Sequence, residues 1–296
     1  MKKLLMTGGT GFVGRHLIPV LLDDGWQIEV LTRDADRARR VLPADVTPIE
    51  TLDSATPPQA IVNLAGENLG DGRWTAARKQ EMRDSRLSIT RRLVAFIAGS
   101  SVKPAVLVSG SAVGYYGARG DEILDESSAA NDEFQSKLCA DWEAEALTAQ
   151  DHGVRVCLVR TGVVLGANDG ALAQMVTPFK FGLGGRFGSG DQYMPWIHID
   201  DEVGAIRFLL SNESASGPFN LTAPAPVTNR VFTKTLGRVL NRPAIAWIPG
   251  PALKLAVGEM ARLLLTGQRA VPKALDGAGY SFRYTQLEPA LADLLG

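Results

Sequence analysis

The sequence predicts an α/β fold, a doubly wound parallel sheet carrying a small C-terminal α/β cap, and three observations support it. A short apolar run, Leu4-Leu5-Met6, breaks at once into glycines at Gly8, Gly11 and Gly14, and a helical pattern, His16 to Leu22, follows. Further apolar runs of strand length alternate with helical patterns along the chain, the alternation that builds a parallel sheet. The 296 residues, 45% hydrophobic and 21% charged, suffice for one large α/β domain with a smaller attachment.

The opening stretch is the most informative. A buried strand that turns on glycines and opens a helix makes a cradle for a dinucleotide pyrophosphate: glycine permits the tight turn and the close backbone approach. The helix start adds unpaired N–H groups and partial positive charge. Gly8, Thr10, Gly11, Phe12, Val13 and Gly14 are the expected cofactor contacts. This is the Rossmann-type arrangement.

Bulk properties exclude several classes. The net charge of −1 leaves no electrostatic footprint for nucleic acid. Two cysteines, Cys139 and Cys157, make no disulfide framework and fit a reducing compartment. Three histidines stand far apart, without metal-ligand spacing. No apolar run reaches membrane-spanning length, and Lys2-Lys3 with three apolar residues is too short for an export signal. The expectation is a cytoplasmic protein that binds neither membrane nor nucleic acid.

A second strand, Ile28 to Thr32, ends in Thr32-Arg33 rather than in an acidic residue. An acidic side chain there would accept from a ribose 2′-hydroxyl; a guanidinium instead suits a 2′-phosphate, so NADP(H) is expected over NAD. Ala60 to Gly66 reads as a buried strand whose small terminal residues leave room at the sheet crevice, with Leu64, Ala65, Gly66 and Glu67 as candidate cofactor contacts. Trp74 to Ala98 has helical spacing, and Val106 to Ser111 is the next strand.

The stretches TGGTGFVG, VNLAG, VLVSGSAVGYYG, RTGVVLG and PWIHIDDEVGAI occur in the order seen in extended short-chain dehydrogenases. The chain most resembles their atypical, YfcH-like branch, the NAD(P)-dependent epimerase family proteins; Leu263 to Phe282 looks like that branch's short C-terminal module. The resemblance implies a Rossmann-type doubly wound parallel sheet with a small C-terminal α/β substrate-capping domain. Residues 1–165, completed by about 197–217, are expected to bind NADP; 166–196 and 218–296 are expected to form the cap.

The resemblance also implies a serine, a tyrosine and a lysine in the chemistry, the tyrosine four positions before the lysine. Ser111 matches the serine and Lys137 the lysine, but the tyrosine position holds Glu133. Three readings stay open: Glu133 handles the proton itself; Tyr115 or Tyr116 supplies a phenol from the loop after Ser111; or the protein binds nucleotide without the usual chemistry. Glu133 and Lys137 also have the spacing of a simple i,i+4 helix pair. On the long helix, Arg86 takes the place of an asparagine that touches cofactor in relatives, with Glu81 placed to orient it or to bond the cofactor.

Lys137 is further expected to hold the nicotinamide ribose, and Ser111 to orient a substrate. Gly182 to Gly190 reads as a mobile lid or substrate loop. His198 reads as a loop pin. Gly267-Gln268-Arg269 with Pro272-Lys273 reads as a basic edge near the cleft. The functional expectation is an oxidoreductase or epimerase acting on a small polar or sugar-like substrate, or alternatively a non-catalytic NADP(H) sensor. A monomer or a homodimer is expected.

Overall fold

The computed structural model describes residues 2–70 and 72–296. Seven parallel strands form the main sheet: β1 (Lys2–Thr7), β2 (Trp26–Leu31), β3 (Val46–Ile49), β4 (Ala60–Asn63), β5 (Val106–Ala112), β6 (Arg155–Thr161) and β7 (Gly217–Leu221). Their order is β7-β6-β5-β4-β1-β2-β3, so the strand order reverses between β1 and β4. In such sheets ligands bind beyond the carboxyl ends of the strands at that reversal.

Helices cover both faces. On one face Leu17, Ile18 and Leu21 of α1 (Phe12–Asp23) pack with Ile199, Val203 and Ile206 of α6 (Ile199–Ser211) against Leu4, Met6, Val62 and Val108. On the other, Leu93 and Ile97 of α3 (Ala76–Gly99) and Ala146 of α4 (Phe134–Leu147) pack on Leu5, Ile61 and Leu107. Side chains of one strand alternate between two buried faces, which is why these strands read as continuous apolar runs. The short helix α2 (Ala35–Val41) follows β2, and Asp34 caps it by accepting from the Arg37 N–H.

The long helix begins at Ala76, two residues after the expected start. Thr75 accepts from Arg78 N–H as its cap, and the Trp74 indole donates back to the Leu69 carbonyl. A larger correction concerns 217–221. The expected boundary after 217 cuts the strand β7, which pairs in register from Gly217↔Cys157 to Leu221↔Thr161. Pro218 is tolerated because β7 is the edge strand, where a missing N–H costs no ladder bond.

Much of the remaining chain packs around a second apolar cluster. Leu172, Val176 and Phe179 of α5 (Gly170–Lys180), Phe232 and Leu236 of α7 (Asn229–Val239) and Leu287, Ala290 and Leu291 of the final helix join Trp196 and Tyr284. The segment 182–190 is not a free loop. Gly185–Phe187 pairs with Ala246–Ile248, and a Cβ on Gly185 would lie 1.8 Å from the Ala246 carbonyl oxygen. Glycine there serves close backbone approach rather than mobility. Among the described residues no helix is long and apolar enough to cross a membrane.

Candidate functional site

The glycine turn lies at the carboxyl end of β1. Gly8 has φ +72°, and a Cβ on it would sit 2.5 Å from the Leu64 carbonyl carbon; only glycine fits both demands. A Cβ on Gly14 would lie 2.5 Å from the Gly8 carbonyl oxygen, so that glycine lets α1 press onto the turn. Gly11 N–H is bonded to the Gly8 carbonyl, and the first helical bond runs from Arg15 N–H to Gly11. No side chain caps α1. The Phe12, Val13 and Gly14 amides therefore stand in the first turn without intrahelical acceptors. Such an uncapped start, backed by the dipole, fits a pyrophosphate. The Phe12 ring lies under Gly166 and Gly170, where any Cβ would meet it, and Arg15 pairs with Asp169 at 2.9 Å.

At the end of β2, Thr32 N–H donates to the Ile49 carbonyl and the Thr32 hydroxyl to the Asp34 carbonyl. Arg33 is exposed and makes no ion pair among the described residues. Its neighbour Asp34 spends one carboxylate oxygen on the α2 cap, accepting from Arg37 N–H.

Beyond β4 the chain turns through Leu64, Ala65, Gly66 and Glu67. Leu64 N–H donates to the Thr7 carbonyl and Ala65 N–H reaches the Thr7 hydroxyl. Under this turn Asn63 accepts from Thr7 at 2.7 Å and donates to Thr90 at 2.9 Å and Ser109 at 3.2 Å, tying β1, β4, β5 and α3 together. Arg86 is a part of this support. Two of its N–H groups donate to the Met82 and Glu67 carbonyls, and its guanidinium stacks over Trp142. Burial lowers its pKa. A Cβ at Gly66 would press on the guanidinium at 2.9 Å. Arg86 thus shapes the 64–67 turn, with two donors that the sequence offered to cofactor already engaged. Glu81 does not orient it: Glu81 pairs with Arg78, which also holds Glu67.

The expected chemistry lies at the ends of β5 and β6, and the structure revises most of it. Ser111 donates to Glu143 at 2.6 Å. Glu143 in turn receives both arms of Arg160, at 2.8 Å each, a bidentate pair buried between α4 and β6. Arg160 also donates to the Tyr116 hydroxyl at 3.0 Å, and that hydroxyl donates to Asn220 on β7 at 2.7 Å. Tyr116 is fully buried, and burial pushes its phenol up to about 12. It cannot be the loop phenol anticipated for the cleft: the short helical turn 113–116 points it into the protein. Tyr115 stays half-buried with its ring 3.6 Å from the Arg160 guanidinium.

The Glu133–Lys137 helix pair does not form. Glu133 sits at the start of α4 and binds Arg262 at 2.7 Å, while Lys137 turns to Asp132 at 2.7 Å. Arg262 comes from the far C-terminal part of the chain.

Two further acids, unnoticed in the sequence, hold that part in place. Asp201, in the first turn of α6, accepts from the backbone N–H groups of Arg283 and Tyr284. Glu126 accepts from the N–H groups of Asn220 and Ala274. The basic edge at 267–273 is likewise engaged: Lys273 pairs with Asp125 and Arg269 stacks over Tyr193. Next to Asp201, Glu202 is buried; one oxygen accepts from Thr161 and the other has no hydrogen bond among the described residues. Burial pushes its carboxyl up to about 8.

His198 acts as the loop pin that the sequence suggested. Its Nδ1 accepts from Asp200 N–H, capping α6, and its ring stacks on Tyr284. Asp200 and Asp293 converge on it. With Nδ1 accepting, the proton belongs on Nε2, which faces Asp293 at 3.3 Å; no ring lone pair remains for a cation.

None of Glu143, Arg160, Asn220, Glu126, Asp201 and Arg262 was singled out from the sequence. The only available signal was a charged residue inside an apolar strand, Arg160 after Val156 to Val159, since a buried arginine requires a buried partner.

Comparison with known proteins fits this architecture. A model described as the NAD dependent epimerase/dehydratase family matches residues 4–222, and one described as a domain of unknown function, DUF1731, matches residues 248–294. An epimerase family protein of Mycobacterium leprae is 42% identical over 289 residues, covering 97% of this chain and 94% of its own. The epimerase family protein YfhF of Bacillus subtilis is 40% identical over 302 residues, with 99% and 97% covered. Among solved structures, the human epimerase family protein SDR39U1 with NADPH superposes with a TM-score of 0.91 at 34% identity, covering 99% of this chain and 98% of that one. A nucleoside-diphosphate sugar epimerase from Corynebacterium glutamicum superposes with a TM-score of 0.79 at 32% identity, covering all of this chain and 58% of its own.

Proposed function

The chain belongs to the NAD dependent epimerase/dehydratase family, and from that premise we propose that it binds NADP(H) and acts as an oxidoreductase or epimerase on a small polar or sugar-nucleotide-like substrate. The observation that carries the cofactor reading is the pairing of an uncapped α1 start at the glycine turn with an exposed Arg33 at the end of β2 that makes no ion pair among the described residues. Pyrophosphate would take the turn amides of Gly8 to Gly14, and Arg33, beside Thr32, the 2′-phosphate. The human relative with NADPH supports the choice of coenzyme, and the corynebacterial relative, by its name, supports the substrate class. Two buried free thiols fit a reducing, cytoplasmic setting.

Bound NADP(H) would supply hydride transfer at the nicotinamide. In this reading Lys137, freed from Asp132, holds the ribose, and a carboxyl or phenol from Glu133 or Tyr115 handles the proton; Tyr116 is withdrawn from that role. Ser111 orients the ligand in a definite way. Its proton is committed to Glu143, so toward the crevice its oxygen accepts only. It therefore suits an O–H or N–H of the ligand rather than a carbonyl. A second reading, an NADP(H) sensor without turnover, is favoured by Glu133 standing at the phenol position in an ion pair with Arg262.

NADPH oxidation read spectrophotometrically with aldehydes and ketones, together with chromatographic analysis of sugar nucleotides for epimerised product, which consumes no net coenzyme, tests the first reading. Turnover that Lys137→Ala lowers by about a hundredfold or more, with the fold retained, supports it. Tight NADPH binding with no turnover on the whole set supports the sensor.

A further inference from the structure

The segment 250–265, α8 (Gly250–Val257) and the turns after it, crosses from the cap to the starts of α3 and α4. It is held there at four points. The Arg73 guanidinium donates to the Leu255 and Ala256 carbonyls at 2.6 and 3.1 Å. Glu259 binds Lys79 at 2.6 Å, and Arg262 binds Glu133 at 2.7 Å. Met260 packs as a peg against a socket of Leu69, Trp74, Met82, Phe134 and Leu138.

These anchors share one geometry. All sit on the first two turns of α3 and α4 or on the loop leaving β4, the elements that follow strands β4 and β5 on the side of Glu133 and Lys137. They are weak individually: the ion pairs are partly exposed, with side chains 13–47% accessible, and such pairs contribute little in water. The segment itself has a thin apolar footing. Leu253 and Ala261 are buried, whereas Leu255 is 81% and Leu263 40% exposed. Its middle turns on Gly258, at φ +65°, whose surroundings are open except for Arg73. An element with few buried contacts, several marginal pairs and a glycine pivot opens at lower free energy than the sheet beside it.

We propose that 250–265 is a strap that closes the α3/α4 side of the crevice and must lift for ligand to exchange, with the Met260 peg and the Arg262–Glu133 pair as its latch. The latch also ties closure to chemistry. While the strap is down, the Glu133 carboxyl is engaged by Arg262; lifting frees it for a ligand. The inference rests on NADP(H) being the crevice ligand.

The test compares wild type with Met260→Ala and Arg262→Ala, using NADPH as the probe. Three quantities are read: equilibrium affinity, the NADPH dissociation rate by stopped-flow fluorescence, and the rate of limited proteolysis within 245–268. The strap predicts faster cleavage in both variants and a dissociation rate raised about three- to tenfold, with thermal midpoints within a few degrees of wild type. Bound NADPH should slow the cleavage in wild type. Faster cleavage with dissociation unchanged within twofold overturns the gating role. Unchanged cleavage overturns it equally, because the latch residues would then hold nothing. No NADPH binding by wild type overturns the cofactor reading itself, a separate outcome.

Discussion

The two ends of the crevice differ in how much hydrogen-bonding capacity they leave to a ligand. At the end proposed for the phosphates, the first-turn amides of α1 have no side-chain cap and Arg33 makes no ion pair among the described residues. At the other end nearly every proton carrier already has a partner: Ser111 with Glu143, Glu143 with Arg160, Tyr116 with Asn220, Glu133 with Arg262, Lys137 with Asp132. One end is built to receive charge from outside, the other to hold charge from within. Cofactor binding in such a protein is generic to the fold, whereas its chemistry depends on which internal pair a ligand can open.

The largest expected effect breaks the receiving end. Gly8→Val places a β-branched side chain at φ +72° and against the Leu64 carbonyl, a combined strain of roughly 3–5 kcal/mol. NADPH affinity should fall by about a hundredfold or more on titration, with a lowered urea midpoint.

The next breaks the self-satisfied end. Arg160→Met leaves Glu143 buried without its partner and should cost about 3–5 kcal/mol in urea unfolding. Adding Glu143→Leu should restore much of that loss, because a matched apolar pair removes the stranded charge. Failure of the double variant to recover would mean that Ser111 and Tyr116 rely on the pair more than packing does.

Arg33→Ala sharpens the comparison from the open side. The loss of a charge-assisted contact should weaken NADPH by about 1.5–3 kcal/mol, roughly 10- to 150-fold, and leave NADH nearly unchanged. Equal losses for both coenzymes would remove Arg33 from the 2′-phosphate site.

Glu202 gives the pH dependence. Its folded carboxyl titrates near 8, against an ordinary value of 4.5. Between those values the folded state holds a proton that the unfolded state releases. This group therefore makes stability fall as pH rises from about 4.5 to 8, with a limiting slope of about 1.4 kcal/mol per pH unit, and the effect levels off above 8. Glu202→Gln should flatten that arm of the stability–pH curve. His198 works oppositely: burial lowers its pKa, so its contribution is lost as pH falls below the ordinary histidine range. The smallest effect belongs to Tyr116→Phe, about 1 kcal/mol for one buried hydrogen-bond partner, with little change in NADPH affinity if the phenol is structural.

The sequence reveals these two ends unequally, for a physical reason. The glycine turn, β1 and the start of α1 are contiguous, so spacing alone reports them. Arg33 follows because parallel strands bring the end of β2 to the same edge. The other end is assembled from residues far apart along the chain: Tyr116 meets Asn220 across 104 positions and Glu133 meets Arg262 across 129. No local pattern encodes such pairs. Tyr115 and Tyr116 are indistinguishable as neighbours; only the turn at 113–116 decides which is buried. Strand β7 was hidden by Gly217-Pro218, a turn signal that an edge strand tolerates.

The most direct measurement is a crystal structure with NADPH bound. The pyrophosphate should lie on the amides of the Gly8–Gly14 turn and the 2′-phosphate against Arg33. A pyrophosphate elsewhere, or a 2′-phosphate turned away from Arg33 into solvent, would contradict it.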